Sequence, residues 1–331
     1  MRTTLSTICG TTALWAVGPA VIMFSGIALA QSTVQTGYHK GELLARALEH
    51  TAAVFTGVVS EVRAVTPPAG ADPSQISRER TIRLNSVDWL LAPPNTPRPP
   101  ELTVRAFDPP TRSKTLDGPW AVWQGIDLKP GTKLLLVRTP GAQPPSGDSD
   151  QPWVVASQPA QLTEIAGIVR TFTALESDFS QAAGLMEQVR QPNDGIIAGF
   201  GITYLLDCGA RRNLAQTAGL LTSAIGSAGA TEKGWRESLA WLTSSWSRLP
   251  EANRNQARDS IVAAAAAPNA SLYRPAFEAL MDIYSLDPGA LAAVSPASKT
   301  GLQQNYRSLR NSGAIPQRNA GFEKALGLEG Q

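Results

Sequence analysis

The 331-residue chain carries 29 Lys and Arg against 27 Asp and Glu, a formal charge of +2, with two His and two Cys. That balance excludes a strongly basic nucleic-acid binder, a disulfide-stapled small protein and an acidic solvating tail, because each needs an excess this chain lacks. With 43% hydrophobic and 17% charged residues it can bury a real core, and its length fits roughly two domains.

From Ile8 to Ala30 no side chain is charged, Arg2 precedes the run, and Ala28-Leu29-Ala30 ends it before polar Gln31-Ser32-Thr33. Residues 1–30 therefore read as a signal peptide cleaved after Ala30, and the expected location is secreted or periplasmic. The competing reading is an uncleaved anchor, since such a run could just cross a bilayer of about 30 Å; Gly10, Gly18, Pro19 and Gly26 weaken it. Only in that case is a membrane a partner. Cys9 sits too early to be a lipid-modified cysteine. Cleavage removes Arg2 and no acid, leaving the mature chain one unit less positive than the full chain's +2. Such a chain has no long-range field to steer it onto phosphate or anionic lipid, so no nucleic-acid partner is expected. Cleavage also leaves Cys208 as the sole cysteine, with no internal disulfide to form.

After a flexible stretch, residues 31–39, the mature chain changes character near Ser157–Gln161, which contains Pro159. Residues 40–160 open with a helix-like segment, Gly41 to His50, in which Leu43, Leu44, Ala47 and Leu48 recur at helical steps. Five strand candidates follow: Ala53–Val65, with a bulge expected at Gly57, then Thr81–Leu91, Leu102–Phe107, Lys133–Arg138 and Trp153–Ala156. Within the second, Ile82 and Leu84 fall on one face but Val87 and Trp89 on the other, a phase slip that predicts a second bulge or bend. Lys129-Pro130-Gly131 is a turn signal before the fourth. The loops Thr66–Ser77, Ala92–Pro100 and Thr139–Pro152 are rich in Pro, Gly, Ser and Asp. Pro93, Pro94, Pro97, Pro99 and Pro100 suggest a stiff, solvated hairpin tip. Short strands joined by turns around one helix favour a small closed or nearly closed barrel.

The order VFTGVVSEV, TIRLNSVDWLL, LTVRAF and LKPGTKLLLVR resembles the netrin-module or metalloprotease-inhibitor-like variant of the OB barrel found in secreted proteins. The resemblance covers residues 40–160 and implies a five-stranded OB-like fold. In the inhibitor branch an amino-terminal cysteine approaches the protease metal and paired cysteines staple the barrel. A chain beginning at Gln31 with no cysteine in this region carries over neither feature, and no functional residue transfers.

Residues 161–310 read as an all-α domain. Leu162, Ile165, Ile168, Val169, Phe172 and Leu175 form one apolar stripe. Helices are also expected over Phe179–Val189, Ile196–Leu206, Leu214–Ile225, Trp235–Leu249, Asn253–Ala267, Pro275–Ile283 and Leu302–Leu309, with Pro192, Pro250, Pro268 and Pro288 between them. Trp235, Leu239, Leu242, Trp246 and Leu249 make a docking stripe. QPNDGIIAGFGITYLL and APNASLYRPAFEALMDIY share a Pro-Asn start before a helix, which resembles a degenerate HEAT-type helical repeat; a compact helical domain is the other reading. Residues 311–331 are expected to be a flexible tail. The whole is thus α+β in two modules, with separate β and α cores.

Little in this chain suits catalysis. His39 and His50 are the only histidines, and no Gly-x-Ser-x-Gly elbow meets them, so His39 reads as solvated and His50 as a helix-end residue. Cys208 lies at the expected end of an apolar helix, with Gly209 as a C-cap, where a thiolate is disfavoured; Arg211 and Arg212 argue partly the other way. A buried structural thiol is the favoured reading, an exposed one for intermolecular pairing the other. Zinc and calcium ligand patterns are absent, as are nucleotide loops, so no cofactor is expected and Gly199-Phe200-Gly201 reads as a close-packing site. Paired carboxylates stay open, because their separation cannot be read from spacing. Trp120 and Trp123, in a loop bounded by Gly118-Pro119 and Gly125, would form a binding surface for a protein or glycan if exposed, or a plug of the barrel end if buried. The expected function is a non-enzymatic binding or scaffolding protein with a protein partner. The alternatives are a carboxylate-type hydrolase of an extracellular polymer and a protease-inhibitor-like module.

Overall fold

The computed structural model describes residues 37–50, 52–66, 69–70, 78–108, 121–138, 152–192, 195–227, 231–267, 270–292, 294–315 and 319–327. The expected signal peptide, residues 1–30, lies outside them, as do Trp120 and most of the expected loops 66–77 and 139–152. Among the described residues no helix is long and apolar enough to cross a membrane.

Strands β1 (Ala53–Ala64), β2 (Arg78–Leu91), β3 (Leu102–Asp108), β4 (Lys133–Arg138) and β5 (Val154–Ala156) form one antiparallel sheet in the order β3-β2-β1-β4-β5. The sheet curls into a half-barrel whose inner face carries Phe55, Val59, Ile82, Leu84, Val104, Leu134 and Leu136. A 3-10 turn at Ala121–Trp123 touches both edge strands, β3 and β5, and puts Val122 and Trp123 into that interior. Three register shifts interrupt the β1–β2 ladder. At the central one Thr56 faces Asp88 while Val58 faces Asn85, so Gly57 opposes the extra residue, and Ser86 takes φ 51°. This is the expected phase slip. The bulge returns Val87 and Trp89 to the interior, where Trp89 meets Phe55 with ring centroids 4.9 Å apart. A side chain at residue 57 would press on Leu84 Cβ at 3.1 Å, so glycine suits the crowded side of the bulge.

The helices are α1 (Gly37–Glu49), α2 (Pro159–Ser177), α3 (Ala182–Arg190), α4 (Ile196–Tyr204), α5 (Ala210–Arg212), α6 (Leu214–Ala224), α7 (Glu232–Ser245), α8 (Glu251–Ala266), α9 (Ala270–Leu286), α10 (Pro296–Asn311) and α11 (Ala320–Ala325). Helix α4 is apolar on every side and all nine of its residues are buried, as a central helix requires. Glu164 of α2 accepts a hydrogen bond from Ile197 N at 3.2 Å, supplying the cap that Gly195 lacks a side chain to give. From α6 onward the packing alternates: α6 lies against α7 and α8, α7 against α9, and α8 against α9 and α10. Asn253 Nδ2 of α8 donates to Ala215 O of α6 at 2.9 Å, and Asn305 Nδ2 of α10 donates to Ala265 O of α8 at 2.8 Å, so the same contact recurs one step along.

Beside a core of the half-barrel interior and a core of helices alone, a third core is shared between the sheet and the helices. Val54, Leu135, Val137 and Val154 point away from the barrel interior and pack with Leu44, Ile165, Phe172 and Phe200 in one cluster. Helix α1 is the reason, since it precedes the sheet in the chain but lies against α4. A Cβ on Gly41 would overlap Ile196 O, and one on Gly199 would overlap Tyr38 O, so these glycines let two backbones touch.

Other local expectations change as well. Helix α1 already starts at Gly37, inside the stretch read as flexible. Helix α9 runs through Pro275 instead of starting there. Within the stretch read as a tail, α11 forms: Ile315, Phe322 and Leu326 are buried, Asn319 caps the helix by accepting from Phe322 N at 2.9 Å, and Tyr306 OH donates to Glu323 Oε1 at 3.1 Å. Three apolar residues spread over a dozen positions were too sparse to register as a stripe.

Candidate functional site

Helix α4 does not end at Cys208. It continues as one turn of π-helix, Leu205–Gly209, and then as α5, with Gly209 at φ −59° and packed on Thr217 instead of forming a left-handed cap. The wider turn carries Cys208, Arg211 and Arg212 to the mouth of a cleft of about 540 Å³. Its walls come from separated segments: Leu48, Glu49 and Ala52 at the α1–β1 junction, Leu91 to Pro94 after β2, and Phe172 and Glu176 on α2. The prolines expected in a solvated tip are divided, with Pro94, Pro97 and Pro100 exposed and Pro93 half-buried against the cleft.

Polar groups at the mouth are paired. Arg211 bonds to Glu49 and also reaches Cys208 Sγ at 3.8 Å; Arg212 Nη2 donates to Glu176 Oε1 at 2.5 Å, and Nη1 to Glu176 O at 3.4 Å. Tyr204 OH donates to the same Glu176 Oε1 at 3.3 Å. Cys208 is 8% exposed, and burial together with the neighbouring Glu49 pushes its thiol up to about 11. It is a neutral thiol at pH 7 and a poor nucleophile.

A second polar centre joins α1 to α7. Tyr38 OH donates to Glu237 Oε2 at 2.8 Å, and Lys233 Nζ donates to Glu42 Oε1 at 2.5 Å and lies 3.6 Å from Glu237 Oε1. His39 Nδ1 stands 3.2 Å from Glu42 Oε2, so His39 is engaged by its own helix. Glu42 is 6% exposed; burial works against its charge, yet hydrogen bonds from His39 and Lys233 hold its carboxyl below the usual range. Burial, reinforced by Glu42, raises Glu237, and burial with Glu237 raises Tyr38. Two carboxyls displaced in opposite directions around one ammonium form an arrangement that acid–base chemistry also uses. Sequence reading missed it because the partners stand 199 residues apart.

The outer face of β1, β2 and β3 is a mosaic of charge. Arg80 pairs with Asp108 on the same side of the sheet as Ile82 and Ala106, whereas on the outer face Arg83 pairs with Glu101 at 2.5 Å, Arg105 with Glu79 at 2.6 Å and Arg63 with Glu61 at 2.5 Å. Between them lies a shallow recess of about 390 Å³ with Thr81 and Thr103.

Trp123 is 5% exposed within the half-barrel interior, away from these three places, while Trp120 lies outside the described residues. His50 follows α1 and meets the Trp153 ring at 6.4 Å. Among the described residues no group of three His, Cys, Asp or Glu side chains is placed to hold a metal. No protein-family model, curated protein or solved structure matches the chain.

Proposed function

We propose that the chain is an exported, secreted or periplasmic binding or scaffolding protein without catalytic activity, acting through protein–protein contacts on the outer sheet face. The observation that carries this reading is the charge mosaic of β1, β2 and β3. Pairing of Arg83 with Glu101 and of Arg105 with Glu79 across β2 and β3 sets these side chains in place before a partner arrives, which favours specific recognition by complementary charge. Equal numbers of both signs in these pairs suit a protein surface better than a polyanion. The sheet order β3-β2-β1-β4-β5, with a turn between β3 and β4 plugging the open side, supports kinship with OB-type barrels. The recurring packing of alternate helices from α6 to α10 supports a HEAT-like stack.

The test is recovery of the native protein from periplasm or culture medium with its amino terminus read by mass spectrometry. Gln31 at the terminus and a stoichiometric partner lost in an R83E/R105E variant of unchanged melting temperature would support the reading. Residues 1–30 retained in a membrane fraction, or no partner, would overturn it. A second reading, a carboxylate hydrolase, rests on the opposed displacement of Glu42 and Glu237. Polymer turnover abolished by E42Q and by E237Q would replace the first reading with it.

A further inference from the structure

Independently of the sheet face, the cleft beside Cys208 has the composition of a small-molecule site. Its volume of about 540 Å³ lies within the range of about 300–1,000 Å³ common for such pockets. Leu48, Ala52, Leu91, Pro93 and Phe172 supply apolar lining, and the charged lining is Glu49 and Glu176 bonded to Arg211 and Arg212 beside Cys208.

Counting donors and acceptors there gives the sign of the missing ligand group. Each guanidinium has five N–H donors. Arg211 uses Nη2, on Glu49 and Cys208, and Arg212 uses Nη1 and Nη2, both on Glu176. Glu176 Oε1 already accepts from both Arg212 and Tyr204. Among the described residues, Nε of both arginines and Nη1 of Arg211 therefore have no protein acceptor, whereas the thiol stays protonated and adds no anion. The unmet capacity of the cleft mouth is for an acceptor, best an anionic and planar one.

We infer that this cleft binds a small amphipathic carboxylate, its alkyl or aryl body against Leu48, Leu91 and Phe172 and its carboxylate on the unused donors of Arg211 and Arg212. Glu49 and Glu176 balance the two cations, so binding is reversible and selective for the head group more than tight.

Octanoate and octan-1-ol, titrated calorimetrically into the full chain, test this directly because they share a tail and differ in the head. Octanoate should bind saturably at one site, and the alcohol about tenfold or more weaker. E176Q keeps an amide oxygen for Tyr204 and Arg212 but removes the competing charge, so it should tighten octanoate about threefold or more and leave the alcohol unchanged. A92W, filling the cleft from the turn after β2, should abolish both. Absence of saturable octanoate binding, equal affinity for acid and alcohol, or an E176Q variant with unchanged octanoate affinity would overturn the inference, and the E176Q result stands even if A92W fails to fold.

Discussion

The two ends of the sheet obey different rules. In β4 and β5 both faces are buried: Leu134, Leu136 and Val155 fill the half-barrel, while Leu135, Val137, Val154 and Ala156 meet the helices. In β2 and β3 one face is buried through Ile82, Leu84, Val104 and Ala106, and the other carries the ion pairs of Arg83 with Glu101 and of Arg105 with Glu79. The first end accordingly reads as an unbroken apolar run, LLLV, and the second as strict alternation, TIRL and TVRA. One sheet thus has a structural end clamped by helices and an end with one face open to solvent, and stability should be distributed to match.

The covered side extends away from the sheet through α7, and there the largest effect is expected. Trp246→Ala removes a buried ring from the cluster that holds Leu242, Ile261 and Phe277 and should cost about 3–5 kcal/mol in denaturant unfolding. Trp241→Ala, only partly buried, should cost less. At the clamped end Leu135→Ala should cost about 2–5 kcal/mol, whereas Thr103→Ala on the open face should stay within about 0.5 kcal/mol. Equal losses at the two positions would erase the distinction between the ends. Gly199→Ala should cost about 1–3 kcal/mol by forcing α1 off α4, visible as early proteolysis near α1.

Acid should expose the α1–α7 junction. Glu42, lowered in the folded state, adds stability that is present above its ordinary 4.5 and is lost as pH falls through the lower folded value. Glu237, raised by burial, acts with the opposite sign, and stability is gained as pH falls through its raised value toward 4.5. E42Q should therefore flatten the loss below 4.5, and E237Q should remove the gain above it, in melting curves taken across pH. The smallest effect belongs to the open face: a double-mutant cycle on Arg83 and Glu101 should give less than about 1 kcal/mol, since both side chains are more than half exposed.

What could be read from the sequence follows the range of the forces involved. Strands and helices show in residues two, three or four apart, so periodicity placed β1 to β5 and most helices, and even the bulge appeared as a break in phase at Ile82, Leu84, Val87 and Trp89. Partnership between distant segments leaves no such mark. Nothing near Tyr38 tells that it packs beneath Gly199, although Gly199-Phe200-Gly201 on α4 hints at a close approach. The π-turn at Cys208 is invisible for the same reason, as Leu205 to Gly209 reads like any apolar helix end. The cleft draws its walls from four stretches of chain, none of which looks like a site alone.

The placement of α1 has a consequence for the order in which the protein can be assembled. The first helix to emerge finds its partner, α4, only after the whole sheet and two further helices have been made, and its bond to Glu237 waits until 199 residues more have followed Tyr38. Until then Leu43, Leu44, Ala47 and Leu48 have no helical surface to rest on. Closing so long a loop is slow and leaves an apolar helix available to holding chaperones.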